Sequence, residues 1–283
     1  MKKLLALVLA LVMTLGLATV GANAAYKDAD SINYKEAVDV MSAIGVLAGD
    51  ETGFRPTDTL KRSEGAKIIA YLIAGQATAD AMTATGTKYT DLPANHWAAG
   101  YMEYLSAIGV MGGLGDGRID PDGSLSATAF AKMLLVALGY DATIEKMGGA
   151  DWQINTQRLA NKVGLFKGNS AVVGSAAITR EEAALYALNT LKAPVVEYET
   201  KGTSINVGDA SITTGASNAT YMTTTDSSAR YTNIANNRVN GNGAQIVEFA
   251  EQYYDGLKLA KAGTDAFGRP ANVWTLKGKE VGN

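Results

Sequence analysis

The pentapeptide Ser42-Ala43-Ile44-Gly45-Val46 recurs 64 residues later as Ser106-Ala107-Ile108-Gly109-Val110. Aligned on Gly45 and Gly109, the flanking chain matches in both directions. Gly49 and Gly113 each follow four residues on. Phe54-Arg55-Pro56 then corresponds to Ile119-Asp120-Pro121, an apolar-x-Pro element in a turn-rich loop. Leu60-Lys61-Arg62-Ser63-Glu64 and Leu125-Ser126-Ala127-Thr128-Ala129 next open two apolar-periodic segments, and upstream Tyr26-Lys27-Asp28 matches Tyr89-Thr90-Asp91. A third, more divergent copy follows. Trp152 precedes Gly164 by the same twelve residues that separate Trp97 from Gly109; Gly168 falls four after Gly164, and Ile178-Thr179-Arg180-Glu181-Glu182 opens another apolar segment. Repeats of this period stack on one another to bury a shared core.

Each copy reads helix, loop, helix. In the first, Tyr34, Ala37, Val38, Met41 and Ile44 fall at helical intervals, and Gly45 stands where a left-handed residue ends a helix most cheaply. The second helices are marked by Ile69 and Ile73, by Phe130, Leu134 and Leu138, and by Leu185 and Leu188. Thr179 with Glu182 has the spacing of a capping box. The stretches 76–88 and 141–150 read as polar or glycine-rich connectors.

These elements together resemble the S-layer homology (SLH) module. Its pattern is an aromatic-x-Asp opening, a helix ending in Gly-Ile/Val, a glycine-rich loop to Phe-x-Pro, then Ile-Thr-Arg-Ala-Glu starting a second helix. Here that is matched by Tyr26–Asp28, Gly45-Val46, Phe54–Pro56 and Ile178–Glu182, over Tyr26 to Leu191. The resemblance implies a mainly α fold: three modules, at 25–75, 88–141 and 150–193, in a pseudo-threefold spindle with one helix from each in a central bundle. It also implies non-covalent attachment to bacterial cell-wall polysaccharide, often bearing pyruvate ketals, in grooves between modules.

Arg62 and Arg180 each sit in the first turn of an expected helix, beside its partial positive charge, where an exposed cation is unfavourable by about 0.3–1 kcal/mol. Glu64 and Glu182, two residues on, could screen them. Alternatively, the guanidinium and the free N–H groups of the helix end form an anion site, in which a sugar carboxylate takes two parallel hydrogen bonds from the arginine fork. Gly45, Gly49, Gly109, Gly113, Gly164 and Gly168 would let a glycan approach the backbone, or serve only as caps and turns. Trp97 and Trp152 could stack on a sugar or pack between modules, and Asp28 and Asp91 complete the candidate glycan-binding set. The second module departs from the pattern, with Ala127 in place of arginine and Ala129 in place of glutamate, so its site is expected to be weak or structural.

The remaining composition bounds the function. Met1-Lys2-Lys3, an apolar run from Leu4 to Val20 and Ala22-Asn23-Ala24 describe a secretory signal peptide over residues 1–24. The mature chain is then expected to be exported and off the membrane. There are no cysteines, which excludes thiol catalysis and thiolate metal sites. Of 25 basic residues, loss of Lys2 and Lys3 leaves 23 against 28 acidic, a net charge of −5. With no basic run, nucleic acid is a poor partner.

Gly113–Gly117 lacks the lysine of a phosphate loop, Asp116, Asp120 and Asp122 have the wrong spacing for a calcium loop, and His96 is the only histidine. Glu181 and Glu182 are adjacent and do not form a glycosidase pair. No cofactor, metal or catalytic residue is therefore expected. Residues 194–283 read as a small β-rich C-terminal domain, with strands at 195–198, 204–207, 211–213, 245–254 and 271–276. Two alternatives to anchoring remain: a fragment of a wall-associated polysaccharide hydrolase, or a lattice protein whose repeats contact other copies of itself.

Overall fold

The computed structural model describes residues 26–207, 210–230, 236, 238–264 and 268–283, so the expected leader at 1–24 lies outside the described residues. A short 3-10 turn at Ala29–Ser31 precedes α1 (Lys35–Ala43), α2 (Arg62–Ala74), α3 (Gln76–Asp80), α4 (Ala99–Ala107), α5 (Ala127–Ala137), α6 (Trp152–Val163) and α7 (Arg180–Leu191). Beyond these come β1 (Val196–Glu197), β2 (Thr203–Val207), β3 (Ala210–Thr214), β4 (Thr220–Tyr221), α8 (Phe249–Tyr253), β5 (Leu257–Thr264), β6 (Pro270–Leu276) and β7 (Lys279–Gly282). The strands form small antiparallel sheets, β1 with β4, β2 with β3, and β5-β6-β7.

The repeat boundaries are visible in the backbone. Gly45, Gly109 and Gly164 lie at φ 75°, 74° and 86°, where a β-carbon would be strained, and each ends the first helix of its unit. Gly49 and Gly113 answer a different need. A β-carbon there would stand 2.5 Å and 2.7 Å from the rings of Tyr26 and Tyr89, the aromatic residues that open their units.

The second helices do not pack within their own units alone. α2 lies against α4 of the next unit, α5 against α6, and α7 returns to α1. Just before each of these helices, one extended residue joins a closed ring. Leu60 N–H donates to Ile178 C=O, Ile178 N–H to Leu125 C=O, and Leu125 N–H to Leu60 C=O, all at 2.9 Å. The three side chains are buried.

The first free amides of each helix, which have no intrahelical partner, find one in the loop of another unit. Arg62 and Ser63 donate to Gly123 and Pro121, Ala127 and Thr128 to Ala176 and Gly174, and Arg180 and Glu181 to Asp58 and Pro56, at 2.8–3.1 Å. Side-chain caps complete the starts. Thr179 and Glu182 form the expected capping box; Glu64 accepts from the Lys61 amide, and Ser126 accepts from the Ala129 amide.

The opposite ends of the long helices are covered by the C-terminal chain. Val196 N–H donates to Leu138 at the end of α5 (2.9 Å), Phe249 N–H to Ala193 beyond α7 (2.9 Å), and the Tyr254 hydroxyl to Leu72 in α2 (3.1 Å). Trp274 is buried and donates from Nε1 to Glu36 of α1 at 2.7 Å; Lys192 pairs with the same carboxylate oxygen at 3.1 Å. Val195, Val196, Val247, Phe249, Trp274 and Val281 belong to the same apolar cluster as the helices, so the core runs unbroken past residue 194.

Two sequence expectations need correction here. The stretch 245–254, expected as a strand, contains α8, because the Glu251 carboxylate accepts the Glu248 amide and fixes a helix start. The connector 76–88 contains α3. Strands β4, β5 and β7 are additions.

If the ring sets the geometry, a cavity at any of its three residues should be costly. Leu125→Ala is expected to destabilise by about 3 kcal/mol, in the range for buried leucines, measured by equilibrium urea unfolding.

Candidate functional site

The closed ring creates three inter-unit grooves, each formed where the N-terminus of a second helix meets the loop of another unit. In the α2–α4 groove, Arg62 lies half-buried, its Nε donating to Ile119 C=O at 2.7 Å and its Nη2 to Gly112 C=O at 3.0 Å. The α7–α1 groove repeats this, with Arg180 Nε to Phe54 C=O at 2.8 Å and Nη2 to Ala48 C=O at 2.7 Å. The Arg180 guanidinium also lies 5.0 Å from the Phe54 ring centre, a cation–π contact.

Neither arginine forms an ion pair among the described residues. Glu64 and Glu182, the expected screens, cap their own helices instead, and Glu182 accepts a second bond from Asn169 at 3.0 Å. A guanidinium has five N–H donors. Two are engaged with carbonyls in each case, and the others have no partner among the described residues.

Burial pulls the Arg62 guanidinium below its ordinary pKa, opposed by the charges of Asp120, Tyr89 and Asp91. Burial and repulsion from Arg55 act alike on Arg180, against Glu64, Asp58 and Asp50. Both remain cations at neutral pH, since arginine starts so high. The outcome is a positive fork held in a fixed direction by neutral oxygens. The helix-end amides expected to share in anion binding are already engaged with loop carbonyls, so an anion here meets the guanidinium alone.

Asp28 and Asp91 sit beneath these loops. Asp28 accepts from the Phe54 and Arg55 amides (2.8 and 2.6 Å), Asp91 from those of Ile119 and Asp120 (2.9 and 2.7 Å). Arg55 and Asp120 have φ of 56° and 54°, so each carboxylate clamps a strained turn whose neighbouring carbonyl, Phe54 or Ile119, holds an arginine. Burial raises the Asp28 pKa, yet the Phe54 and Arg55 amides and the Arg180 charge together hold it below its ordinary 3.8. The same balance, with the Ile119 and Asp120 amides and Arg118, lowers Asp91.

Trp97 is 55% exposed and lies against His96 and Tyr101, with ring centres at 5.8 and 6.4 Å. Trp152 is more enclosed; Lys132 Nζ of α5 stands 5.6 Å over its ring, a contact between units. Lys132 and Lys67 occupy the same position five residues after Ala127 and Arg62, a correspondence legible in the aligned repeats but not singled out by the sequence reading. Asn33, at the place of the tryptophans in the first unit, donates to the buried Glu181 carboxylate at 2.8 and 2.9 Å. Gly164 lines the loop cavity of the third unit, and Gly168 lies at φ 94° beside it.

A family model described as the S-layer homology domain matches residues 25–65 and 88–126. The chain carries S-layer homology domains. The two matched SLH segments contain Arg62, Asp28, Asp91 and both SAIGV copies, while Arg180 and the third unit lie outside them. A "Cell surface protein" from Thermoanaerobacter kivui is 26% identical over 203 residues, 70% of this chain and 26% of that protein. "Cell surface glycoprotein 1" from Acetivibrio thermocellus is 34% identical over 103 residues, 34% of this chain and 4% of that one. A "Cellulosome-anchoring protein" of the same organism is 32% identical over 78 residues, 28% of this chain and 17% of that protein. The chain thus spans about a quarter or less of the length of these relatives.

The clamps make a pH prediction. Carboxylates whose pKa is lowered in the folded state stabilise it above the unfolded value and lose that contribution as pH falls through the folded one. Asp28→Asn and Asp91→Asn should each cost about 2 kcal/mol at neutral pH, the scale of charge-assisted hydrogen bonds. The double variant should also show a shallower loss of stability below about pH 4 than the parent. Chemical denaturation at stepped pH checks both.

Proposed function

We propose that this chain is an exported bacterial surface protein in which three SLH units, arranged as a pseudo-threefold spindle, hold it non-covalently to an acidic cell-wall polysaccharide. The ring through Leu60, Leu125 and Ile178 supports a threefold arrangement that includes the third unit, although that unit lies outside the matched segments. The surface and anchoring roles named for its relatives support the location and the task. The role is attachment rather than catalysis.

One observation carries the reading. Two half-buried guanidinium groups, at equivalent places in two grooves, are aimed by pairs of backbone carbonyls and are left without a carboxylate. Orienting a cation this way and leaving it unpaired favours an external anion. A carboxylate on a sugar, such as a pyruvate ketal, accepts two parallel N–H bonds from each fork. In the Arg62 groove the exposed Trp97 offers an apolar face to the ring. Two such sites on one rigid body bind a repeating polymer more tightly than either alone, by effective concentration.

Residues 26–283 should co-sediment with purified walls and stay in solution once the wall polysaccharide has been removed. Arg62→Ala and Arg180→Ala are each expected to weaken binding to an acidic wall fragment roughly tenfold to a hundredfold, the equivalent of one charge-assisted contact. The double variant should lose sedimentation. Lysine at either position keeps the charge but loses the fork and should restore binding only in part. Unchanged sedimentation of the double variant would remove the arginines from the site.

A further inference from the structure

The chain contains two Asn-Gly pairs, Asn240-Gly241 and Asn242-Gly243, and they stand side by side at one hairpin tip. Glycine after asparagine leaves the backbone nitrogen unshielded, since it carries no β-carbon. That nitrogen can attack the side-chain carboxamide of the residue before it. Local sequence offers both pairs the same chemistry, and the fold sets them apart.

The tip is closed by Val239 bridged to Gln245, by the Asn240 amide donating to Ala244 C=O at 2.8 Å, and by the Gly243 amide donating to Asn240 C=O at 3.0 Å. Gly241, Asn242 and Gly243 are exposed, and Asn240 is half-buried. The Asn240 carboxamide oxygen accepts two backbone N–H groups, from Asn242 at 2.9 Å and from Ala244 at 3.0 Å. Two main-chain donors at about this distance on one carbonyl oxygen are the arrangement that stabilises an oxyanion. The Gly241 amide has no partner among the described residues, and nothing beyond its chain neighbours lies within 4 Å of where a β-carbon would stand.

Asn242 has the opposite setting. Its carboxamide makes no hydrogen bond among the described residues, so nothing polarises it. The nitrogen that would attack it, Gly243 N, is tied to the Asn240 carbonyl.

We propose that Asn240 is a self-modifying site, an asparagine that the folded hairpin converts to aspartate and isoaspartate ahead of its neighbour Asn242. Gly241 N gives its proton to water and bonds to Asn240 Cγ. The carboxamide oxygen takes the negative charge between the Asn242 and Ala244 amides. The bond from Cγ to the side-chain nitrogen then breaks, and that nitrogen leaves as ammonia with a proton from water. Water next opens the cyclic imide at one of its two carbonyls, giving aspartate at one and isoaspartate at the other. Solvent water is the only co-reactant.

Either product adds one negative charge to a shallow hollow of about 260 Å³, which Asn240 and Asn242 line with Thr220 and the half-exposed Tyr221. Aspartate keeps both amide bonds and makes them charge-assisted. Isoaspartate inserts a methylene into the main chain at 240, inside the span that the Ala244 and Gly243 bonds hold closed, and so loosens the tip. The result is a time-dependent change of charge and local order, independent of the anchoring reading.

The purified chain is incubated at mildly alkaline pH, with and without urea, and sampled by peptide mass spectrometry that resolves asparagine, imide, aspartate and isoaspartate at each position. In the folded chain Asn240 should react about tenfold faster than Asn242, a modest part of what an oxyanion hole supplies. In urea, where each is simply followed by glycine, the two rates should converge. Gly241→Ala fits the open space and should slow Asn240 about tenfold by shielding the nitrogen. The Asn242 rate in that variant should stay at its folded value, which shows that the tip is intact. Equal rates in the folded chain, Asn242 ahead of Asn240, no reaction at either position, or an unslowed Asn240 in Gly241→Ala would each overturn the assignment.

Discussion

The fold depends on three backbone hydrogen bonds that close on themselves. Leu60, Leu125 and Ile178 lie far apart in the chain, yet each donates to one of the others and accepts from the third, all at 2.9 Å. A bond of this kind contributes only about 1 kcal/mol net, but leaving a buried amide unmatched costs more. The ring therefore acts chiefly as a constraint. It sets three helix starts side by side at one end, with their side chains buried together. Each helix then finds its missing amide partners in the loop of a different unit, so no unit completes itself.

This exchange of partners explains where the charge sits. A helix start already holds partial positive charge, and an arginine added there is unfavourable unless something answers it. The answer is two carbonyl dipoles from the facing loop, Gly112 and Ile119 for Arg62, Ala48 and Phe54 for Arg180. Dipoles orient a cation without neutralising it. A glutamate in ion-pair contact would neutralise it, but Glu64 and Glu182 are drawn away to cap their helices. Asp28 and Asp91 act one step further back, holding the turns at Arg55 and Asp120 in a left-handed conformation so that the carbonyls point at the guanidinium.

Much of this was legible from local pattern. The repeated SAIGV located two helix ends, the glycine four residues later marked where Tyr26 and Tyr89 cross the backbone, and Thr179 with Glu182 announced a capping box. Ala127 marked the one start among the three second helices that lacks arginine. What could not be read was the direction of the long-range contacts. Arg180 reaches carbonyls 126 and 132 residues earlier in the chain, and nothing local to either end encodes that meeting. Periodicity is also silent on which amides of a helix start are free, and so an anion cradle of arginine and amides together was expected where the amides are in fact engaged. In the C-terminal third, Gln245–Tyr254 has strand-like apolar content, but the Glu248 and Glu251 spacing turned the chain into a helix. Strands β5 and β7 carry too few apolar residues in alternation to stand out.

Because the ring is made of backbone atoms, it makes no demand on the residue that follows it. Arg62, Ala127 and Arg180 occupy equivalent positions, and all three donate their amides at 2.8–3.0 Å to the opposing loop. Alanine in place of arginine there leaves the junction intact, and the Ala127 side chain is itself buried. In the third unit the carbonyls of Leu165 and Lys167 are tied to Asn189 of α7 at 2.9 and 2.8 Å, and Asn169 is tied to Glu182 and Tyr186, so that loop is anchored to a helix of its own unit. In such an architecture the side chain at each helix start can change while the frame stays fixed.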